Sequence, residues 1–199
     1  MEGKFIVFEG IDKSGKETQA KMLYDYLNNK GIPVIYTEEP TDKNVMGRTI
    51  KKWLVGQATI TSGEAITLLY TADRYEHLKN VIAPALNVGK NVICDRYFYS
   101  TLAYESAIFG VDREWIKTLH KNVRRPDVVI FIDIDPEISL RRERSSPNDR
   151  LEKVDILKKV REAYKEMVNE EKFFMINGDR TKEEVFRNVC MVINRLFGV

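Results

Sequence analysis

A glycine-containing loop between an apolar run and an amphipathic run constrains the fold more than any other segment. Residues 4–9 (KFIVFE) have the length of a buried strand, and residues 18–30 place apolar side chains near one helical face. The loop between them matches the P-loop pattern G-x-x-x-x-G-K, in which backbone N–H groups and a helix N-terminus surround a phosphate. A strand–helix turn without a ligand is the alternative. The predicted phosphate site consists of Gly10, Ile11, Asp12, Lys13, Ser14, Gly15, Lys16, Glu17 and Thr18.

Apolar runs of strand length recur along the chain and alternate with helical patterns. The further strand-like runs lie at residues 33–37, 91–94, 127–134 and 172–176, and the further helical patterns at 62–88 (broken near Pro84), 151–169 and 181–197. Continuously apolar strands separated by helices predict a parallel sheet covered on both faces. We therefore predict an α/β protein with the three-layer P-loop NTPase fold: a five-stranded parallel sheet, helices on both faces and a short lid, in one domain of residues 1–199.

A carboxylate and a guanidinium follow the apolar run at 91–94. Ligands of a parallel sheet bind beyond the carboxyl ends of its strands, so Asp95 and Arg96 are expected beside the P-loop. An Asp in this place commonly holds Mg²⁺, often through water, and Glu17 is a second candidate ligand. Arg96 is predicted to act between two phosphates, with Lys16 on the outer phosphates of the donor. An Asp–Arg surface pair is the alternative for Asp95 and Arg96.

Four arginines surround a turn-rich segment near residue 145. A basic, turn-rich flap can close over a triphosphate and exclude water, so we predict a lid over residues 141–152. A solvated charge run is one alternative, and a nucleic-acid contact is another, although the aromatic residues on which single strands stack are absent there. In this lid Arg150 is predicted to be catalytic, and Arg141 and Arg144 to bind ATP.

Composition restricts the partners. The formal net charge of +2 is too balanced to indicate a nucleic-acid or membrane partner. No apolar run approaches the roughly 20 residues that span a bilayer. The two cysteines, Cys94 and Cys190, have no neighbours at metal-binding spacing and are expected to be buried thiols. With no signal-peptide pattern at the N-terminus, a cytoplasmic protein is expected.

The helical pattern at residues 68–77 carries a candidate base-binding pair. Tyr70 and Arg74 are four residues apart and therefore lie on the same helical face. A ring beside a guanidinium can stack on a base and donate to its carbonyl, although ordinary packing is the alternative. A nucleoside monophosphate has its second pKa at about 6 and is already a nucleophile at neutral pH. Such an acceptor needs alignment and positive charge and no general base.

Several segments together resemble the thymidylate kinase family over nearly the whole chain: FEGIDKSGKETQ, EEPT, LLYTADRYEH, DRYFYSTLAYE and NDRLE. The resemblance implies a homodimeric enzyme that uses ATP and Mg²⁺ to phosphorylate thymidine monophosphate (dTMP). It implies Asp12 near the sugar 3′-hydroxyl, Tyr70 stacked on thymine and Arg74 on a thymine carbonyl. It also implies Arg96 on the acceptor phosphate, Ser100 and Thr101 near the base edge, and Tyr104 where a ribose 2′-hydroxyl would sit.

Three positions depart from the family pattern. Glu17 replaces the usual hydroxyl residue, and we expect its carboxylate to turn aside and pair with a cation such as Lys13. No arginine precedes Glu39-Pro40, so Arg48 is the substitute we predict on the acceptor phosphate. Lys13 stands where relatives have arginine or glycine, which leaves open how the loop and the lid divide their roles.

Two other functions remain open. One is a P-loop kinase for another nucleotide or for a deoxynucleoside, in which Glu38 or Glu39 would activate the sugar hydroxyl. The other is a P-loop ATPase or switch protein without an acceptor.

Overall fold

The computed structural model describes residues 2–142, 151–170 and 173–197. Five parallel strands form one sheet in the order β2-β3-β1-β4-β5. The predicted α/β fold with a five-stranded parallel sheet is therefore confirmed. The strands are β1 Phe5–Glu9, β2 Val34–Glu38, β3 Asn91–Asp95, β4 Val128–Asp133 and β5 Phe173–Asn177.

Helices follow the strands and cover both faces of the sheet. They are α1 Lys16–Asn29, α2 Val45–Leu54, α3 Gly63–His77, α4 Ala83–Asn87, α5 Phe98–Phe109, α6 Arg113–Leu119, α7 Pro136–Arg142, α8 Val154–Glu170 and α9 Lys182–Phe197. The predicted break near Pro84 is wrong. A π-helical turn, Leu78–Ile82, continues α3 into α4, and Pro84 lies in the first turn of α4, where the missing N–H of proline is tolerated.

Alternate residues of the strands face two separate cores. Phe5 and Val7 of β1 pack on the side of α2, α3, α5 and α8. Ile6 and Phe8 pack on the side of α1 and α9. This is the sheet buried on both faces that the continuously apolar runs predict. Among the described residues, no helix is both long and apolar enough to span a membrane.

The register brings the polar strand ends together. Phe8 of β1 is paired with Asp95 of β3, and Asp95 is also paired with Glu38 of β2. The P-loop after β1, the Glu39-Pro40 segment after β2 and Arg96 after β3 therefore meet at one edge of the sheet. The peptide bond between Glu39 and Pro40 is cis.

Candidate active site

The P-loop has the backbone geometry of a phosphate cradle. Gly10 and Gly15 adopt φ values of 152° and 93°, which L side chains rarely occupy. A Cβ on Gly10 would come within 2.8 Å of the Ile132 carbonyl oxygen. Helix α1 begins directly at Lys16, and its N-cap residue, Gly15, has no side chain that could cap the first N–H groups. The loop therefore presents backbone donors and a helix N-terminus to the same cavity.

That cavity extends from the loop towards α7 and the end of β5. Residues of the P-loop line it together with Arg142, Glu152, Gly178, Arg180, Lys182 and Val185. Arg142 donates from Nη2 to the Gly178 carbonyl oxygen at 2.7 Å and from Nη1 to that of Ser14 at 3.4 Å. Neither Arg180 nor Lys182 was predicted; both follow the carboxyl end of β5, and that placement is the signal that could have identified them.

The predicted lid is described only at its ends. Arg141 is exposed at the end of α7 and is not among the residues that line the cavity. Arg144 and Arg150 lie outside the described residues.

The two charged residues that depart from the family pattern have separate partners. Lys13 Nζ lies 2.6 Å from Glu152 Oε2, at the C-terminal end of the predicted lid. Glu17 forms an ion pair with Lys21, one helical turn along α1. Glu17 therefore pairs with a nearby cation, as expected, but the cation is Lys21 on the same helix, and the example that was named, Lys13, is wrong. The expectation that the Glu17 carboxylate turns aside agrees with its 57% exposure.

Asp95 has a carboxylate oxygen that accepts no hydrogen bond within the described part of the chain. Its side chain is buried at the end of β3, and Oδ1 accepts no hydrogen bond from the described residues. Burial raises the pKa of Asp95, and the positive charges of Lys16 and Arg96 partly oppose that effect. A buried, unpartnered carboxylate oxygen beside a phosphate loop fits a hydrated divalent cation.

A second cavity adjoins the first and contains all the predicted acceptor residues except Arg48. Arg48 is exposed on α2, where its guanidinium donates to the Asp42 carbonyl oxygen at 3.2 Å. Six residues that were not assigned to the acceptor also line this cavity: Glu39, Pro40, Leu54, Tyr97, Glu105 and Leu151. The predicted residues that do so are Asp12, Tyr70, Arg74, Arg96, Ser100, Thr101 and Tyr104. Asp12 also lines the P-loop cavity, so the two cavities meet there.

Arg96 is fixed at this junction. It adopts a φ of 68°, and its Nη1 donates to the Gly10 carbonyl oxygen and to Ser100 Oγ, each at 3.2 Å. Its Nη2 pairs with Asp12, which also accepts from the Tyr104 hydroxyl at 2.8 Å. Burial alone would raise the pKa of Asp12, but Arg96 and Lys16 bring that pKa below its ordinary value. Asp12 is therefore a poor proton acceptor.

Glu9, the last residue of β1, anchors the segment that follows Arg96. Its carboxylate accepts from the Tyr97 N–H at 2.8 Å, from Ser100 Oγ at 2.6 Å and from the Tyr164 hydroxyl at 2.7 Å. Burial raises its pKa, and these bonds oppose that effect. Sequence reasoning counted Glu9 only as part of a strand, although a carboxylate at the end of an apolar strand was the available signal.

Arg74 lies in a buried polar network. Its Nε donates to Glu39 Oε2 at 2.7 Å, and the other oxygen of Glu39 accepts from His77 Nδ1 at 3.0 Å. Nη1 donates to Thr101 Oγ1 at 3.2 Å and to His120 Nε2 at 2.7 Å. Each oxygen of Glu39 therefore accepts from a buried side chain, which makes Glu39 a less suitable base for a sugar hydroxyl.

Glu105 is one of the cavity-lining residues that sequence reasoning did not assign to the acceptor. It is 1% exposed, and its Oε2 accepts no hydrogen bond from the described residues. Burial raises the pKa of Glu105 to about 8, so the carboxyl group is mostly protonated at neutral pH. Its position four residues after Thr101, on the same face of α5, could have identified it.

Known proteins match this chain along its whole length. The sequence profile of the family described as "Thymidylate kinase" matches residues 8–189. Thymidylate kinase of Caldicellulosiruptor saccharolyticus is 40% identical, with 98% of each chain covered. That of Halothermothrix orenii is 39% identical over 95% of each chain. A solved structure of thymidylate kinase from Candida albicans has a TM-score of 0.87 and 25% identity, and covers 98% of this chain and 92% of its own. The chain belongs to the thymidylate kinase family.

Proposed function

We propose that this protein transfers the γ-phosphoryl group of ATP to dTMP, giving ADP and thymidine diphosphate. The observation that carries this proposal is the meeting of two cavities at Asp12. One is built around a P-loop, and the other holds an aromatic ring, buried polar groups and Arg96. A donor and an acceptor bound in them would have their phosphates beside the same cation.

The chemistry requires positioning and positive charge. An acceptor phosphate oxygen forms a bond to the γ-phosphorus, and the bond from that phosphorus to the β–γ bridging oxygen breaks. We assign Lys16 and Arg96 to the path of the transferred phosphoryl group. Lys16 is buried and Arg96 is half-buried, and the positive charges of both act on Asp12. No general base is needed, because the acceptor is ionised at neutral pH. The electrostatic preorganisation of these cations is the catalytic contribution of the fold.

The acceptor cavity has the groups that a thymine nucleotide needs. Tyr70 is assigned to stack on the base, and we propose that the thymine carbonyl to which Arg74 donates is O4. Glu105 adds a protonated carboxyl group, which offers one donor and one acceptor to the imide edge of thymine. The Tyr104 hydroxyl donates a hydrogen bond to Asp12. Tyr104 is assigned to the sugar of the acceptor, where its side chain disfavours a 2′-hydroxyl.

Mg²⁺ and the lid complete the proposal. Asp95, through its unpartnered oxygen, would hold the ion by way of water, and Glu17 is the less suitable ligand because it is exposed and paired with Lys21. The ion would neutralise charge on the β- and γ-phosphates. A lid at residues 141–152 remains proposed, with Arg141, Arg144 and Arg150 on ATP. Arg142, the fourth arginine of this segment, is proposed to act with them, because it donates to a P-loop carbonyl oxygen.

The two rival functions fit the site less well. A deoxynucleoside kinase needs a free carboxylate base, whereas Glu39 is bonded to Arg74 and His77 and Glu38 is paired with Lys51. A P-loop ATPase has no use for an acceptor cavity that meets the loop cavity at Asp12.

A homodimer is proposed from the surface of α3. Leu68 is 48% exposed and Tyr75 is 38% exposed, and they share a face with Ala65 and Ala72. Spacings of three and four residues make this an apolar stripe suited to a second copy. Sedimentation of the parent as a dimer and of Leu68→Glu as a monomer supports the proposal, and a monomeric parent contradicts it.

A cytoplasmic location is also proposed, because both cysteines are free thiols. Cys94 is buried as expected, whereas Cys190 is only half-buried.

A panel of acceptors tests the function. ADP formation from ATP and Mg²⁺ is measured with dTMP, dUMP, dCMP, dGMP, thymidine or no acceptor. We expect the highest kcat/KM with dTMP and little turnover with thymidine or without acceptor. Equal turnover without acceptor would support the ATPase function, and higher turnover with thymidine would support the nucleoside kinase.

A further inference from the structure

His120 is a buried group that the proposed chemistry does not use, although it contacts Arg74. The Arg74 guanidinium has five N–H groups. Nε donates to Glu39, Nη1 donates to His120 and Thr101, and Nη2 donates to Thr101 at 3.2 Å. Among the described residues these bonds leave one Nη2 N–H for the acceptor cavity that Arg74 lines. The direction of that N–H depends on how the rest of the guanidinium is held.

The geometry around His120 fixes its tautomer. Nδ1 lies 2.8 Å from the Ile116 carbonyl oxygen, which can only accept, so Nδ1 carries the proton. Nε2 therefore presents a lone pair, and Arg74 Nη1 donates to it at 2.7 Å. Burial and the positive charge of Arg74 lower the pKa of His120 to about 3. The imidazole is thus a neutral acceptor over the whole pH range of an assay.

The ring is also held in place independently of Arg74. It stacks on Phe98, with centroids 5.6 Å apart and an interplanar angle of 24°. Thr71 Oγ1, 3.4 Å from Nε2, lies closer to the Thr67 carbonyl oxygen, at 2.8 Å, so it gives its proton there. Of these neighbouring groups, only Arg74 therefore donates a hydrogen bond to Nε2.

We propose that His120 is a positioning residue for base recognition: as an acceptor at Nη1 it sets the direction in which Arg74 presents its remaining N–H to O4 of the acceptor base. The inference rests on the proposed function, in which Arg74 reads that O4. Glu39 holds one end of the guanidinium and His120 the other. Without His120, a buried N–H of Arg74 has no acceptor, and the group turns to find one.

Three substitutions at one position test this. His120→Leu removes the acceptor at similar volume. We expect KM for dTMP to rise about tenfold or more, since a charge-assisted hydrogen bond is lost. We expect kcat to stay within about threefold, KM for ATP to be unchanged, and the preference for dTMP over dCMP to fall. His120→Gln places an amide oxygen near the position of Nε2 and should restore KM. His120→Asn reaches only as far as Nδ1 and should resemble His120→Leu.

Two controls separate positioning from packing. Val123→Ala truncates a buried core side chain three residues along and leaves the Arg74–His120 bond in place, so it lowers stability without raising KM for dTMP. Arg74→Met should raise KM for dTMP by itself, and adding His120→Leu to it should raise KM no further. If His120→Leu does not fold, the contrast between the Gln and Asn variants decides.

The outcomes that overturn the proposal are specific. An unchanged KM in His120→Leu, or equal KM values in the Leu and Gln variants, reduces His120 to a packing residue while the proposed function stands. Additive effects in the double variant do the same. If Arg74→Met leaves KM for dTMP unchanged, the assignment of Arg74 in the proposed function fails, and the role of His120 fails with it.

Discussion

Replacing Glu105 with glutamine should make the protein increasingly more stable than the parent as the pH rises. The carboxyl of Glu105 is buried on α5, and burial raises its pKa from 4.5 to about 8. Between these values the folded protein keeps a proton that the unfolded chain releases. The contribution to stability is therefore complete below pH 4.5 and is lost as the pH rises through about 8. The amide introduced by Glu105→Gln has no proton to release in this range, so the variant escapes this loss.

The size of the effect follows from the difference between the pKa values of Glu105 in the folded and unfolded chain. Each pKa unit corresponds to about 1.4 kcal/mol. Between about pH 5 and pH 7 the free energy of unfolding of the parent should fall by roughly 2–3 kcal/mol relative to the variant. For a chain of this size that difference corresponds to roughly 5–10 °C in Tm. The prediction is that the difference in the free energy of unfolding between variant and parent grows with pH. A difference that is the same at every pH would reflect the amide group itself.

Urea unfolding without nucleotide, at pH 5, 6, 7 and 8 and constant ionic strength and protein concentration, measures the difference. Glu76→Gln is the matched control: Glu76 is exposed on α3, and an amide oxygen at position 76 can still accept from Asn80. The curves of this control should run parallel to those of the parent. Parallel curves for Glu105→Gln as well would refute the view that Glu105 is held protonated by burial.

Three further predictions concern the donor and acceptor sites. Lys16→Ala should lower kcat by about a hundredfold or more with little change in Tm, because Lys16 faces the phosphate cavity; activity within a few-fold of the parent contradicts the P-loop assignment. Tyr104→Ala should weaken the preference for dTMP over its ribo counterpart, and Tyr104→Phe should retain it, as kcat/KM for both acceptors will show; an unchanged preference in the Ala variant makes Tyr104 a packing residue. Glu17→Ser and Glu17→Gln should keep turnover within about threefold, because Glu17 is exposed and paired with Lys21; a large loss in both that high Mg²⁺ rescues would make Glu17 a metal ligand.

The parts that sequence predicts well are those specified locally. The P-loop, the five strands and helices α1, α8 and α9 each have a periodicity or a motif within one short segment. Helix α5 was not predicted, because residues 98–105 are buried on nearly every side and show no apolar stripe with a helical period. A helix of this kind is positioned by packing against several other elements, and its own sequence does not indicate those contacts.

The site residues also divide into those that a local motif specifies and those that depend on distant parts of the chain. The glycines and Lys16 act through local geometry, so a motif identifies them. Glu39 and His120 matter because of a partner 35 or more residues away, and Glu105 because of the burial that surrounds it. The assignment of Arg48 followed from an absent arginine in a neighbouring segment, and nothing local indicated that its side chain would bond to the Asp42 carbonyl oxygen instead.

The acceptor half of the site is held by contacts within the protein. Arg96 is tied to Gly10, Ser100 and Asp12, and its strained backbone is held by a hydrogen bond from its N–H to the Phe8 carbonyl oxygen at 2.9 Å. Arg74 is paired with Glu39 and Arg96 with Asp12, so the charge of each guanidinium is balanced by a buried or half-buried carboxylate. A dianionic acceptor phosphate then meets fixed cations whose orientation costs nothing further at the moment of reaction. The same pairing limits how tightly the phosphate alone binds, because Asp12 competes for Arg96. Under the proposed function, selectivity among acceptors is therefore expected to come largely from the base and sugar contacts that we propose for Arg74, Glu105 and Tyr104.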